Sequence, residues 1–158
     1  MIRRKSMRAV LLNPDGEILL MKLEDPATRW QVWVTPGGAI EQGETVEGCL
    51  RRELAEETGL HHDVRVGPLV WTRTHEFDWD GRVISQREEF YLVDTVSFEP
   101  KMENNPATAE QLAFRGFRWW STEDIRNAPD TFAPKRLADL LEALIKTGPP
   151  EEPFDAGI

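Results

Sequence analysis

The chain has a single cysteine, Cys49, in 158 residues. An internal disulfide is therefore excluded, and a cysteine-based metal cage has too few ligands. Long apolar runs are also missing. No stretch approaches the roughly 20 residues that would span a bilayer, and the basic start MIRRKSMRAVLL lacks the extended apolar region and small-residue cleavage site of an export signal. These absences fit a reducing cytoplasm and give no membrane partner. Positive charge is scarce as well: 19 Lys and Arg stand against 28 Asp and Glu, for a net charge of −9. This argues against long nucleic acid as a partner, because displacing its counterions needs a basic face. A polyanionic substrate stays open, since divalent cations held by clustered carboxylates reverse the local field. Most of the acids are read as solvated surface.

What remains is an ordinary globular composition, 40% apolar and 30% charged, too apolar for a disordered chain. Its length suits one domain, assigned to residues 1–148, with the tail PPEEPFDAGI (149–158) expected to fray. No internal repeat or low-complexity segment is found. MRAVLL and EILLMKL flank the turn signal NPDG and predict an opening hairpin. QVWV reads as a short strand broken at TPGG. TVEGCLRRELAEET predicts a helix capped by Thr45 and stopped at Gly59. The β-branched and aromatic stretch from Val64 to Phe98 predicts a long hairpin turning at DWDGR. FRGFRWW predicts a further strand, STEDIRNA a short capped helix, and PKRLADLLEALIKTG an amphipathic helix with Pro134 near its start. The order implies an α/β domain with helices covering a mixed sheet; pattern alone gives no topology.

The central helix has acids where its apolar stripe should continue. At about 100° per residue, Val46 and Leu50 define a stripe, flanked by Cys49 and Leu54, on which Glu53 and Glu57 fall further along, with Glu56 close by. An acid-rich helix is ordinarily a solvated face, here paired with Arg51 and Arg52. Like charges at i,i+4 on an inward stripe nevertheless cost stability unless a cation or an arginine compensates. Three carboxylates able to converge call for a hard divalent metal, and the preceding TPGG offers close backbone approach and exposed carbonyls.

Gly38, five residues, Glu44, seven residues, then Arg52-Glu53-Leu54-Ala55-Glu56-Glu57-Thr58-Gly59-Leu60 resembles the Nudix box with every fixed position filled. WVTPGG before it and RWW after it also resemble that family of hydrolases, which act on nucleoside diphosphates linked to another moiety. The resemblance extends over most of residues 7–146. It implies an α/β/α sandwich around a central mixed β-sheet. It further implies that Glu53, Glu56 and Glu57 hold Mg²⁺ or Mn²⁺ with the carbonyl of Gly37 or Gly38. Arg52 would orient a neighbouring glutamate, Glu44 would brace the loop, and Gly59 would end the helix. The implied reaction is attack of a metal-activated water on one phosphorus of a diphosphate bridge. Glu53 is the first candidate for general base, Glu110 a candidate for base or extra ligand, and Glu88 and Glu89 are alternatives.

Substrate contacts are assigned from residue chemistry. Arg29, Arg73 and Arg87 suit bidentate phosphate recognition, with Arg73 and Arg87 expected to face each other across the hairpin. Trp33 leads the aromatics against which a base could stack; Trp30, Trp71, Phe77 and Trp79 are the others, and each has an ordinary reading as core or rim. His61, His62 and His75 are read as structural, Cys49 as a small core residue. The competing functions are a non-catalytic Nudix-like nucleotide-sensing or interaction domain and an isoprenoid diphosphate isomerase, the latter needing a reactive cysteine that Cys49 does not match. A small nucleotide is the expected partner. Nucleoside triphosphates, nucleotide sugars, dinucleoside polyphosphates, dinucleotide coenzymes and RNA 5′ ends stay open, as does a homodimer through an exposed edge strand.

Overall fold

Alternation along the first strand, β1 (Ile2–Leu12), sets the plan of the molecule. Met7, Ala9 and Leu11 enter one hydrophobic cluster and Val10 enters another, as successive side chains must when both faces of a sheet are covered. The computed structural model describes residues 1–60, 64–102 and 113–157. After β1 come β2 (Ile18–Glu24), β3 (Gln31–Val34), β4 (Gly37–Ala39), α1 (Val46–Thr58), β5 (Leu69–Trp79) and β6 (Arg82–Asp94). β7 (Phe114–Trp120), α2 (Thr122–Asn127), α3 (Leu137–Thr147) and β8 (Phe154–Asp155) complete the described elements. All strands join one mixed sheet in the order β3-β2-β1-β6-β5-β8, with β4 on β1 and β7 on β2.

One face buries Met7, Ala9, Leu11, Leu19 and Val93 beneath Cys49, Leu50 and Leu54 of α1. The other buries Val10, Leu20, Trp71, Phe90 and Trp120 beneath Ile125 of α2 and Leu137, Leu141 and Leu144 of α3. This is the α/β architecture with helices on both faces that the sequence implies.

The opening hairpin departs from expectation. Asn13 makes the turn, its Oδ1 accepting from Asp15 and Glu17 N–H at 3.1 and 2.9 Å, but β1 and β2 pair only at Leu12 and Ile18. Below that pair they splay, and β4 fills the gap antiparallel to β1 through Ser6–Ala39, Met7–Gly38 and Arg8–Gly37. The Gly-Gly segment read as a strand breaker is thus itself a short strand. Gly37 has φ 143°, and a Cβ there would sit on the Met7 carbonyl oxygen, so only glycine lets the two backbones approach so closely. On its other side β1 runs parallel to β6 along its whole length, from Ile2–Ile84 to Leu12–Asp94.

The C-terminal tail also differs. Instead of fraying, it adds β8 parallel to β5; the Ala156 N–H donates to the Thr72 carbonyl at 2.7 Å, and Ala156 is buried in the cluster under α3. A small side chain between polar residues makes this docking hard to read from composition.

Candidate functional site

Helix α1 has defined ends. Thr45 Oγ1 accepts from the Gly48 N–H at 3.0 Å, and Gly59, at φ 74°, closes the helix with its N–H on the Ala55 carbonyl. Between them Glu53 and Glu57 are 6% and 5% exposed, so the anionic continuation of the apolar stripe does turn inward. The glycine strand receives both. Gly37 N–H donates to Glu57 Oε1 at 2.8 Å, and a Cβ on Gly38 would press into the Glu53 carboxylate.

Arg52 organises the remaining acids. Its Nε and Nη2 grip the Glu44 carboxylate at 2.8 and 3.0 Å, a bidentate pair. Its Nη1 donates to Glu53 Oε1 at 3.0 Å and Glu56 Oε2 at 3.3 Å. The Arg52 hydrogen bonds, helped by the Glu41 N–H, pull the Glu44 carboxyl down to about 2, and the same contacts raise the Arg52 guanidinium further. Glu44 so ties the loop to the helix.

The three carboxylates expected to converge do not meet. Among the described residues no three acids, histidines or cysteines close on a common point. Mutual repulsion and the nearer donors explain it: Glu53 and Glu56 turn to Arg52 while Glu57 turns to Gly37. The donor set still fits a hard divalent ion, being carboxylate oxygens beside backbone carbonyls. Between Glu53 and Glu56 the structure already holds a cationic nitrogen, Arg52 Nη1, bonded to both.

Several residues singled out in the sequence lie elsewhere. Trp33 is 8% exposed, its Nε1 donates to Asp130 at 2.9 Å and its ring meets Trp120 edge-on at 5.1 Å. It is a core residue, since a β3 side chain on that face lands against Trp120 of β7 and the segment after α2. Trp71 is core too. Arg29 is exposed in the turn before β3, at φ 68°, beside the exposed Trp30. Arg73 and Arg87 do not face each other: Arg73 pairs with Glu88 and Arg87 with Thr74, and adjacent register positions point to opposite faces. Arg87 is exposed and lies 3.9 Å from Glu89. Glu110, His61 and His62 lie outside the described residues. The Cys49 thiol is buried, approaches the Gly38 and Ala39 carbonyls, and is pushed up to about 11 by burial, which makes it a poor nucleophile.

One cluster was not foreseen as a unit. On the sheet face away from α1, Glu88 accepts from Arg8 Nε at 2.9 Å and Arg73 Nη1 at 2.7 Å, and contacts His75 Nε2 at 3.1 Å. Burial would raise the Glu88 carboxyl, but the His75 hydrogen bond and the two guanidiniums bring it down to about 2. So low a carboxyl, with both oxygens engaged, is a weak proton acceptor, which counts against Glu88 as general base. Glu89, on the opposite face, accepts from Tyr91 at 3.2 Å. The available signal was charge alternating with apolar residues in adjacent strands, and it gives no register.

Residues 2–143 match the NUDIX domain family. The chain is 28% identical over 141 residues to the nucleoside triphosphatase NudI of Escherichia fergusonii, covering 88% of this chain and 97% of that one. It is also 28% identical over 143 residues to the RNA pyrophosphohydrolase of Sphingopyxis alaskensis, covering 84% and 87%. The solved E. coli ORF135 protein superposes with a TM-score of 0.64 at 23% identity, covering 96% of each chain, a likeness of fold.

Proposed function

The chain belongs to the Nudix family, and from that membership we propose how its own residues carry out the family's reaction and on what class of substrate. It is a hydrolase acting on acid anhydrides: water breaks a P–O–P bridge and leaves a phosphate group on each product. Nudix hydrolases generally use divalent metal ions. The substrate assigned here is a small nucleoside 5′-polyphosphate, a reading supported by the match to a nucleoside triphosphatase along 97% of that relative and by the net charge of −9, which disfavours long nucleic acid.

The observation that carries the site assignment is the single Arg52 nitrogen shared by Glu53 and Glu56, beside a Glu57 already oriented by Gly37. Glu53, Glu56 and Glu57, with the Gly38 carbonyl, are the residues that would hold Mg²⁺ or Mn²⁺. Such an ion supplies neutralising charge for the diphosphate and a water of lowered pKa. Arg52, anchored on Glu44, keeps the helix carboxylates oriented while their oxygens are in use. Glu53 takes the proton of the attacking water at a carboxylate oxygen. The exposed Arg87 and Arg29 are left as phosphate contacts at the rim, and Glu110 as the alternative proton acceptor. A cytoplasmic setting suits the lone buried thiol and the demand for Mg²⁺.

The test is product release across a panel of nucleoside triphosphates, nucleotide sugars and capped RNA 5′ ends, with metal and with chelator. The native chain should turn over a triphosphate with metal only, and Glu57→Gln should lose activity by about 10²-fold or more. Binding without turnover, seen as a nucleotide that raises the thermal midpoint while no panel member is cleaved, would refute the reading.

A further inference from the structure

Arg8 reaches beyond its partner Glu88. While its Nε holds the carboxylate, its Nη1 donates to the Thr35 carbonyl at 3.2 Å and to the Gly37 carbonyl at 3.4 Å. Those two carbonyls belong to the peptides on either side of the Pro36–Gly37 peptide. That middle peptide is itself held at both ends, its carbonyl by the Ala9 N–H at 2.8 Å and its N–H by Glu57 Oε1 at 2.8 Å. Three successive peptides are thus fixed in orientation from strand β1, and the central one aims its only hydrogen at Glu57.

Such fixing has a physical need. Proline contributes no N–H and the two glycines after it have wide backbone freedom, so Thr35–Gly38 cannot hold one orientation unaided. One buried and one half-buried guanidinium around one buried carboxylate form a costly arrangement. Glu88 is 4% exposed and Arg73 6%; Arg73 and His75 engage Glu88 Oε1, and Arg8 serves the other oxygen, Oε2. Arg8 makes contacts that the rest of the cluster does not, namely those to the loop.

We propose that Arg8, held in aim by Glu88, is a positioning residue for the reaction: it locks the Thr35–Gly38 backbone on one face of the sheet so that Gly37 orients Glu57 on the other. The assignment rests on the catalytic reading of Glu57 given above. It adds a route from the β5–β6 hairpin through Glu88, Arg8 and the glycine strand to the helix carboxylates.

The deciding measurement needs neither substrate nor metal: hydrogen exchange at the Gly37 amide in the free protein, native against Arg8→Met. The variant takes the Arg8 donor from Glu88 Oε2 but keeps Arg73 and His75 on Oε1, so it should fold with reduced stability, as a thermal melt would verify. Gly37 exchange should rise at least about tenfold, with the Val10 and Leu11 amides unchanged. In turnover assays kcat should fall about 10- to 100-fold, the range for groups that orient metal ligands, with KM within about twofold. Arg8→Lys, which keeps the charge but cannot fork, should fall between native and Met, and it answers the same question should Arg8→Met not fold. Native Gly37 exchange in a folded Arg8 variant would overturn the proposal. If the native chain cleaves nothing, the catalytic reading fails by itself, and the exchange result still decides whether Arg8 orients Glu57.

Discussion

A carboxylate almost removed from water stays ionised only if donors replace the water, and Glu88 has such donors on both oxygens. Its carboxyl lies at about 2 against an ordinary 4.5. A folded value below the unfolded one means that the unfolded chain binds the proton first as pH falls. The stabilisation is therefore complete above about 4.5 and is lost between there and about 2. Burial pulls the Arg73 guanidinium down even as Glu88 pulls it up, but an arginine starts so far above neutrality that it stays charged there, so the pH dependence belongs to the carboxylate. Urea melts should show a flat stability from pH 7 to 5 and a falling limb below. Glu88→Gln should make that limb shallower, Glu44 still contributing over the same range, and lower stability at pH 7 by about 3 kcal/mol, the scale for stranding the buried Arg73 guanidinium. An unchanged acid limb in the variant would assign the loss to other acids.

Helix α1 was the most legible element because its signals are local: a side-chain cap at Thr45, a left-handed stop at Gly59 and a 3.6-residue period between them. Both ends should respond to substitution. Thr45→Ala removes the bond to the Gly48 N–H and should cost about 1 kcal/mol. Gly59→Ala forces a side chain into φ 74° with its Cβ 3.1 Å from the Lys101 carbonyl and should cost about 1–2 kcal/mol. Denaturant midpoints of the two variants, at unchanged m-value, would check both. Strand β4 was illegible for the opposite reason. Gly37, Gly38 and Ala39 carry no strand pattern, and what makes them a strand is a close approach to Met7 and Arg8, residues some thirty positions earlier. The same holds for the splayed hairpin. Its turn is written in Asn13 to Gly16, but its opening depends on β4, which pairs with β1 in the gap and which the turn cannot encode. At the site, the glutamates on α1 were legible through their spacing, whereas Arg8 read as one more basic residue near the chain start. Trp33 was misread because its place against Trp120 depends on the pairing of β3 and β7 with β2.

At the scale of the whole molecule, both faces of the sheet are closed by helices and one edge by the last few residues. Removing residues 149–158 should therefore be felt, although composition marked them as a loose end. Loss of β8 takes the Ala156 N–H from Thr72 and uncovers Trp71, 1% exposed in the intact chain. A chain ending at Gly148 should be less stable by about 2 kcal/mol, measurable as a lower thermal midpoint, and an unchanged midpoint would mean that β8 contributes nothing. The parallel union of β1 with β6 has a consequence in time. Arg8 and Glu88 are 80 residues apart in sequence, and closing so long a loop is entropically slow. α1 carries its own caps, but β4 is a strand only against β1, and along its whole length β1 is paired by β6. The carboxylates are thus present in the nascent chain well before they are aimed, and the protein gains its chemistry at the final closure of its sheet.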